Sequence, residues 1–122
     1  WLPPHHVGTW LMAADILVIP PVRQPVDSIA APTKTFQYLA AGRAIVAPAV
    51  PELDELLTHD VHARLVAPGD VAGLVTTIAG LAQDDLARAR LGVAARAQVL
   101  GRTWEERALH IVDFLDQQRA SR

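Results

Sequence analysis

The sequence PTKTFQYLAAGRAIVA, at residues 32–47, determines the fold that we predict for this chain. Pro32 has no backbone N–H and a fixed φ, and both properties suit the entrance of a helix with Thr33 as its N-cap. The spacing predicts a helix over residues 34–41. Gly42 can close this helix in the left-handed conformation, so the stretch reads as a loop, a helix and then a new element.

Two aliphatic runs, at residues 16–19 and 44–47, have the composition of buried strands. Runs of four such residues indicate strands covered on both faces, which is typical of a parallel α/β sheet. In such sheets ligands bind beyond the carboxyl ends of the strands. The proline-rich loop 20–31 follows the first strand at that edge. We therefore expect the functional site where this loop enters the helix at 34–41.

The first turn of this helix carries the residues most informative about function. Helical spacing places Phe36, Leu39 and Ala40 on a face that we assign to the core. Lys34 and Gln37 fall on a neighbouring face, near the unpaired N–H groups and the positive end of the helix dipole. A phosphate or diphosphate is the ligand expected there. The alternative is that Lys34 and Gln37 only solvate an exposed helix face.

Further motifs accompany the stretch 32–47. They are AADILVIP at residues 13–20, Pro51 with Glu55, LVAPGD at residues 65–70, and Thr103-Trp104-Glu105. In this order they resemble the C-terminal domain of retaining GT-B glycosyltransferases, the glycosyltransferase group 1 family. The stretch 32–47 is similar to that family's signature SPxKxxEYxAxGxPVVA. The resemblance covers nearly the whole chain.

The resemblance implies an α/β fold with a Rossmann-like parallel sheet and flanking helices, the partial C-terminal half of a GT-B glycosyltransferase. Residues 1–122 would form a partial nucleotide-sugar-binding domain, with C-terminal helices over residues 85–119. The whole enzyme, of hexosyltransferase type, would transfer a sugar from a nucleoside diphosphate sugar to an acceptor hydroxyl with retention, and without a metal ion or other cofactor. Lys34 would be the catalytic residue that stabilises the leaving diphosphate.

The opening of the chain implies a fragment when it is compared with this family. A helix is predicted almost directly after Trp1, with no preceding strand and no glycine-rich phosphate loop. We expect the acceptor-binding N-terminal domain to be missing and the fragment to be inactive alone. Peripheral membrane contact would then depend on the absent domain.

The site departs from the family pattern at two carboxylates. Many members carry a Glu-x7-Glu pair, whose first glutamate contacts the donor sugar and whose second holds the ribose hydroxyls. Gln37 stands at the second position and Ile29 at the first. Gln37 can accept a hydrogen bond from a hydroxyl, but that bond lacks charge assistance. The other candidate contacts to the donor are Thr33, Arg23, Asp27 and Ser28.

Two alternatives stay open for this altered site. In one, loss of both carboxylates marks a degenerate domain that retains only nucleotide binding or a scaffolding role. In the other, Asp27 or Ser28 replaces the first glutamate through a rearranged loop. Arg23 is either a phosphate contact or a solvated loop residue.

Composition excludes several functional classes. The chain of 122 residues is 51% hydrophobic with a net charge of −2, which fits one globular domain and argues against a nucleic-acid partner. No apolar run approaches the ~20 residues that span a bilayer, and no signal peptide opens the chain, so we expect a cytoplasmic protein. The histidines at 5, 6, 59 and 62 lack cysteine companions, and no metal site is predicted.

The remaining segments are predicted to support the sheet. A short helix at 52–57 and a strand at 64–66 come first, and Asp70 then caps a helix over 71–82. The next helix begins near residue 84 and ends near 100, and its many arginines and alanines predict an exposed element. The predicted inward residues are Leu53, Leu56, Leu57, Leu74, Val75, Ile78, Leu81, Leu91, Ala94, Ala95 and Val99.

A capping box, Thr103 with Glu106, opens the last predicted helix, which ends near Arg119. Trp104 is interpreted as a packing anchor. The predicted buried stripe of this helix consists of Ala108, Ile111, Val112 and Leu115. By resemblance, this region returns toward the absent domain, so part of its apolar surface is expected to be exposed.

Overall fold

The computed structural model describes residues 3–20 and 33–120. In chain order the elements are α1 (Pro4–Ala13), β1 (Ile16–Val18), α2 (Thr33–Ala41), β2 (Ala44–Pro48), α3 (Pro51–Asp54), β3 (Arg64–Val66), α4 (Val71–Ala82), α5 (Asp85–Gln98) and α6 (Trp104–Ala120). Helices alternate with the strands from α1 to α4, and this order confirms the α/β class that the aliphatic runs predict.

The described strands form one parallel sheet in the order β1-β2-β3, so β2 lies in the centre. Leu17 of β1 pairs in register with Ile45 of β2. Ile19 continues the pairing beyond β1, because its N–H donates to the Val46 carbonyl at 2.9 Å. The parallel sheet is therefore as predicted.

Successive side chains of β2 point to opposite sides of the sheet, and both sides are covered. Ile45 and Ala47 lie in one core, which we call the first core, and Ala44 and Val46 lie in the second core. The first core also contains Leu17, Ile19, Leu39, Leu53, Leu56, Leu57, Ala63 and Ala95. The second core also contains Val66, Leu81, Ala87 and Leu91. Each large aliphatic side chain buried here contributes about 1.5–3 kcal/mol of burial free energy.

Helix α2 is rotated relative to the prediction. Thr35 and Leu39 are its buried residues, whereas Phe36 is 38% exposed and Ala40 is also exposed. The prediction that Phe36 and Ala40 face the core is wrong because it counted apolar side chains alone. Thr35 lies one turn before Leu39 on the same face, and its small β-branched side chain packs there. The rotation turns Phe36 away from both cores.

Helix α4 buries a narrower stripe than predicted. Leu81 is buried, and Leu74 and Ile78 pack against the second core. Val75 is 61% exposed, so the prediction that it faces the core is wrong. The contact follows residues spaced by four and three along the helix, and Val75 is turned about 100° away from Leu74.

The start of α4 confirms the cap predicted from the sequence. The Asp70 carboxylate accepts a hydrogen bond from the Gly73 N–H at 2.8 Å. This bond satisfies one of the N–H groups that the first helical turn leaves without a partner.

Replacing Asp70 with alanine is expected to lower the free energy of unfolding by about 1 kcal/mol, because the Gly73 N–H then loses its acceptor. Urea denaturation of the Asp70→Ala and Asp70→Ser variants measures this effect. Serine retains a capping oxygen, so Asp70→Ser is expected to stay within a few tenths of a kcal/mol of the original chain. Equal losses in the two variants would contradict the capping role.

Helix α5 is not the exposed element that its composition predicts. It packs against β2 and α2, and its buried residues are Ala87, Leu91, Gly92 and Ala95. The approach to α2 is close: a Cβ atom on Gly92 would lie 2.3 Å from the carbonyl oxygen of Gly42. Gly42 has a φ of +65°, the left-handed conformation predicted for it. Leu91 and three small residues on one face bring α5 into the interior.

Helix α6 lies on the outside of the described structure. None of its residues is buried, and Ile111, Val112 and Leu115 are each 52% exposed. Trp104 is 80% exposed. The predicted buried stripe, Ala108 included, and the packing role of Trp104 are therefore wrong for the described residues, because no described element covers this face. The exposure expected by resemblance is what the structure shows.

Within residues 3–20 and 33–120, no helix combines the length and the hydropathy needed to cross a lipid bilayer.

Candidate functional site

The candidate site lies where α2 begins. The chain leaves β1 at the carboxyl edge of the parallel sheet and returns into α2 at Thr33. This edge is where open α/β sheets bind ligands. Thr33 is the first described residue of α2, so it lies at the start of the helix.

A cavity of about 540 Å³ opens between the starts of α2 and α6. This volume is within the range of small-molecule sites. Its first wall is the face of α2 formed by Thr33, Phe36 and Gln37. Its second wall, the start of α6 and the turn before it, consists of Gly101, Arg102, Thr103, Trp104, Glu106, Arg107 and His110.

The structure brings two of the predicted site residues together. Thr33 and Gln37 are one helical turn apart and line the same cavity. Lys34 is exposed and lies on the same first turn, but it is not among the residues that line the cavity. It is the single lysine of the sequence. The other three predicted contacts, Arg23, Asp27 and Ser28, lie outside the described residues.

Sequence reasoning missed the second wall of the cavity. The capping box that marks the start of α6 is formed as predicted: the Glu106 N–H donates to the Thr103 hydroxyl at 3.2 Å, and the Thr103 N–H donates to the Glu106 carboxylate at 3.5 Å. The backbone N–H of Glu105 and the Thr103 hydroxyl lower the pKa of the Glu105 carboxyl. Nothing in the motif indicates that this helix start would face α2, which is a tertiary contact.

Two histidines have structural roles in the turn before β3. The His62 Nδ1 accepts from the Thr58 N–H at 3.1 Å, and the His59 Nδ1 accepts from the Leu65 N–H at 3.0 Å. In the part of the chain that the structure describes, no three His, Cys, Asp or Glu side chains are placed to share a metal ion. These imidazoles therefore hold the backbone of a turn.

The comparisons with known proteins bear on this geometry. Residues 1–84 match the family described as Glycosyl transferases group 1, and this match spans α1 to α4 and the first wall of the cavity. The chain belongs to this family. The matched residues end before α5, so the second wall lies outside the family match.

One sequence relative and one solved structure show how similar this chain is to known proteins. The chain is 31% identical over 112 residues to a D-inositol 3-phosphate glycosyltransferase of Xylanimonas cellulosilytica, covering 92% of this chain and 26% of that relative. A sucrose-phosphate synthase structure from Thermosynechococcus elongatus superposes with a TM-score of 0.83 at 23% identity, over 99% of this chain and 29% of that one. The chain thus spans about a quarter of the curated relative.

The structural likeness confirms the fold class of the group 1 chain. Its parallel sheet with flanking helices is the Rossmann-like arrangement of the GT-B C-terminal half. Together, the family match and the superposition confirm the resemblance that the motifs at 13–20 and 32–47 indicate.

Proposed function

We propose that this chain is the donor-binding domain of a glycosyltransferase of hexosyltransferase type. The donor is a nucleoside diphosphate sugar, and the acceptor is a hydroxyl. The observation that carries this proposal is the cavity at the carboxyl edge of the sheet, lined by Thr33 and Gln37 at the start of α2 in a member of the group 1 family.

In the proposed sugar transfer, the site must stabilise a leaving diphosphate. The bond between the anomeric carbon and the diphosphate oxygen breaks, a bond to the acceptor oxygen forms with retention, and the proton of the acceptor hydroxyl passes to the departing diphosphate. Negative charge grows on the departing diphosphate. The first-turn N–H groups of α2, the helix dipole and the Lys34 ammonium group oppose this charge, and no metal ion is required for that role.

Gln37 supplies a neutral contact in the same cavity. Its amide oxygen accepts from a hydroxyl, and the ribose of the nucleotide offers two hydroxyls. The amide carries no charge, so this contact is weaker than the one a glutamate would form.

The acceptor would be bound by a separate domain. The curated relative is about four times as long as the part that this chain matches, since the chain covers 26% of it. The apolar stripe of α6 is exposed in the described structure, and a stripe of this kind is a suitable contact surface for another domain. Transfer to an acceptor therefore requires both domains.

A degenerate, non-catalytic domain is the second candidate function. The amide of Gln37 at a position where many relatives carry a carboxylate favours it, because a nucleotide can bind without the charge-assisted contact to ribose. Release of nucleoside diphosphate from a donor sugar by this domain joined to its acceptor domain separates the two candidates. Binding without release would favour the degenerate domain.

Substitution of Gln37 tests the proposed ribose contact. Calorimetric titration with UDP and GDP is expected to give a Kd about threefold to tenfold higher for Gln37→Ala, because one neutral hydrogen bond is lost. Gln37→Glu is expected to lower the Kd through charge assistance. Gln83→Ala, an exposed glutamine at the end of α4, is the matched control and should bind as the original chain does. Unchanged binding in both Gln37 variants would remove Gln37 from the site.

A further inference from the structure

We infer that Arg102 and Arg107 form an anion-binding wall of the cavity and bind the diphosphate of the donor. This inference rests on the proposed function and adds a set of contacts to it. The second wall lies outside residues 1–84, which are the residues that match the family.

Arg102 and Arg107 differ from most of the other described arginines in their hydrogen bonds. In the described structure the guanidinium groups of Arg43, Arg64, Arg88 and Arg90 each bond to a carbonyl or carboxylate oxygen. Arg102 and Arg107 line the cavity, and their guanidinium groups have no hydrogen bond or ion pair to any described residue. Both are exposed, so they are available to a ligand.

The charges around the cavity favour an anion. The first wall contributes the neutral side chains of Thr33, Phe36 and Gln37. On the second wall the one carboxylate is that of Glu106, and it accepts from the Thr103 N–H within the capping box. Two guanidinium groups therefore outnumber one carboxylate that is already engaged, and a net positive charge faces the cavity.

The chemistry of the guanidinium group specifies the anion. Arginine presents a planar set of N–H donors that binds two oxygens of one phosphate at once. Arg102 precedes α6, and Arg107 lies in its first turn. Two such groups on one wall suit a ligand with two adjacent phosphates better than a ligand with one.

The ratio of monophosphate to diphosphate affinity tests this assignment. UMP, UDP and inorganic pyrophosphate are titrated into the chain by calorimetry, beside Arg102→Ala, Arg107→Ala and the double variant. Each single change is expected to raise the Kd for UDP about threefold to tenfold, and the double change about 10- to 50-fold. UMP binding should change less, so the preference for UDP over UMP should collapse in the double variant.

Arg119→Ala is the matched control, because Arg119 lies at the far end of the same helix and outside the cavity. It should leave the Kd for UDP and for pyrophosphate unchanged. Thermal unfolding followed by circular dichroism should give the same Tm for all variants, since these arginines are exposed.

Three results would overturn the assignment. Wild-type affinity of the double variant for UDP and pyrophosphate would refute the arginine wall, and the proposed function would stand if Lys34→Ala still lost binding. An equal loss in Arg119→Ala would show a general charge effect. Absence of UDP and GDP binding in the unsubstituted chain would reject both the wall and the donor-binding function.

Discussion

Replacing Lys34 with alanine is expected to raise the Kd for UDP or GDP about 10- to 100-fold. A hydrogen bond to a charged group contributes about 1.5–3 kcal/mol, and each 1.4 kcal/mol is a factor of ten in affinity. Calorimetry at low ionic strength measures the change, because exposed charges are least screened there. Lys34→Arg retains the charge and should stay within about threefold of the original affinity.

The single lysine makes a second, independent measurement possible. Reductive methylation with isotope-labelled formaldehyde marks the Lys34 amine and the chain terminus alone, since the sequence has no other lysine. Addition of UDP should shift the Lys34 methyl resonance in the original chain, and addition of uridine should not. A resonance that ignores UDP, together with unchanged binding in Lys34→Ala, would remove Lys34 from the site.

Replacing Gly92 with alanine is expected to lower the free energy of unfolding by about 2 kcal/mol or more. The added Cβ would lie 2.3 Å from the oxygen and 3.0 Å from the carbon of the Gly42 carbonyl, and both are backbone atoms. Gly42 closes α2 at a φ of +65°, which restricts movement of its carbonyl group, so the added Cβ would force α5 and α2 apart. The cost of overpacking exceeds the ~1 kcal/mol that alanine gains over glycine within a helix.

Gly80→Ala in α4 is the matched control for this prediction. A Cβ atom there meets no described atom within 4 Å, so only the gain in helix propensity remains. This variant is expected to be more stable by about 0.5–1 kcal/mol. Urea denaturation of both variants should therefore give changes of opposite sign. Equal stabilisation of both would show that α2 and α5 do not touch through Gly92.

The elements of the sheet could be predicted because their signals are local. The aliphatic runs at 16–19 and 44–47 indicated buried parallel strands, and the caps at Asp70 and at Thr103 with Glu106 marked two helix starts. Each of these signals depends on residues a few positions apart. The hydrogen bonds of the two caps are local as well, whereas those of the parallel strands join distant parts of the chain.

The orientation of the helices could not be predicted in the same way. Thr35 rather than Phe36 faces the core, and Gly92 is buried in α5 beside Leu91 and Ala95, which were predicted to face inward. The size of the side chain at a contact decides which face of a helix is buried. The space available for that side chain is set by the element that packs against it. A rule based on apolar residues assigns the large side chain to the core, whereas close approach requires the small one.

Only the local part of the candidate site could be predicted from the sequence. Thr33 and Gln37 lie on one turn of one helix, so their proximity follows from helical spacing. Arg102 and Arg107 are more than 60 positions away along the chain from Thr33, and only the tertiary fold brings them to the same cavity. The capping box predicted where α6 begins, but not what that helix start would face.

The exposure of α6 has a thermodynamic consequence for the cavity. A helix of 17 residues with no buried side chain can unfold without opening either core, and its own stability is close to that of an isolated helix. The first wall, on α2, is thus stabilised by the hydrophobic cores. The second wall is present only in the fraction of molecules in which α6 is folded. A ligand that contacts both walls must supply the free energy of ordering α6, and this cost is subtracted from its affinity. Ligand binding and the folding of α6 are therefore linked. Any change that strengthens the capping box also tightens binding, although Thr103 and Glu106 need not touch the ligand.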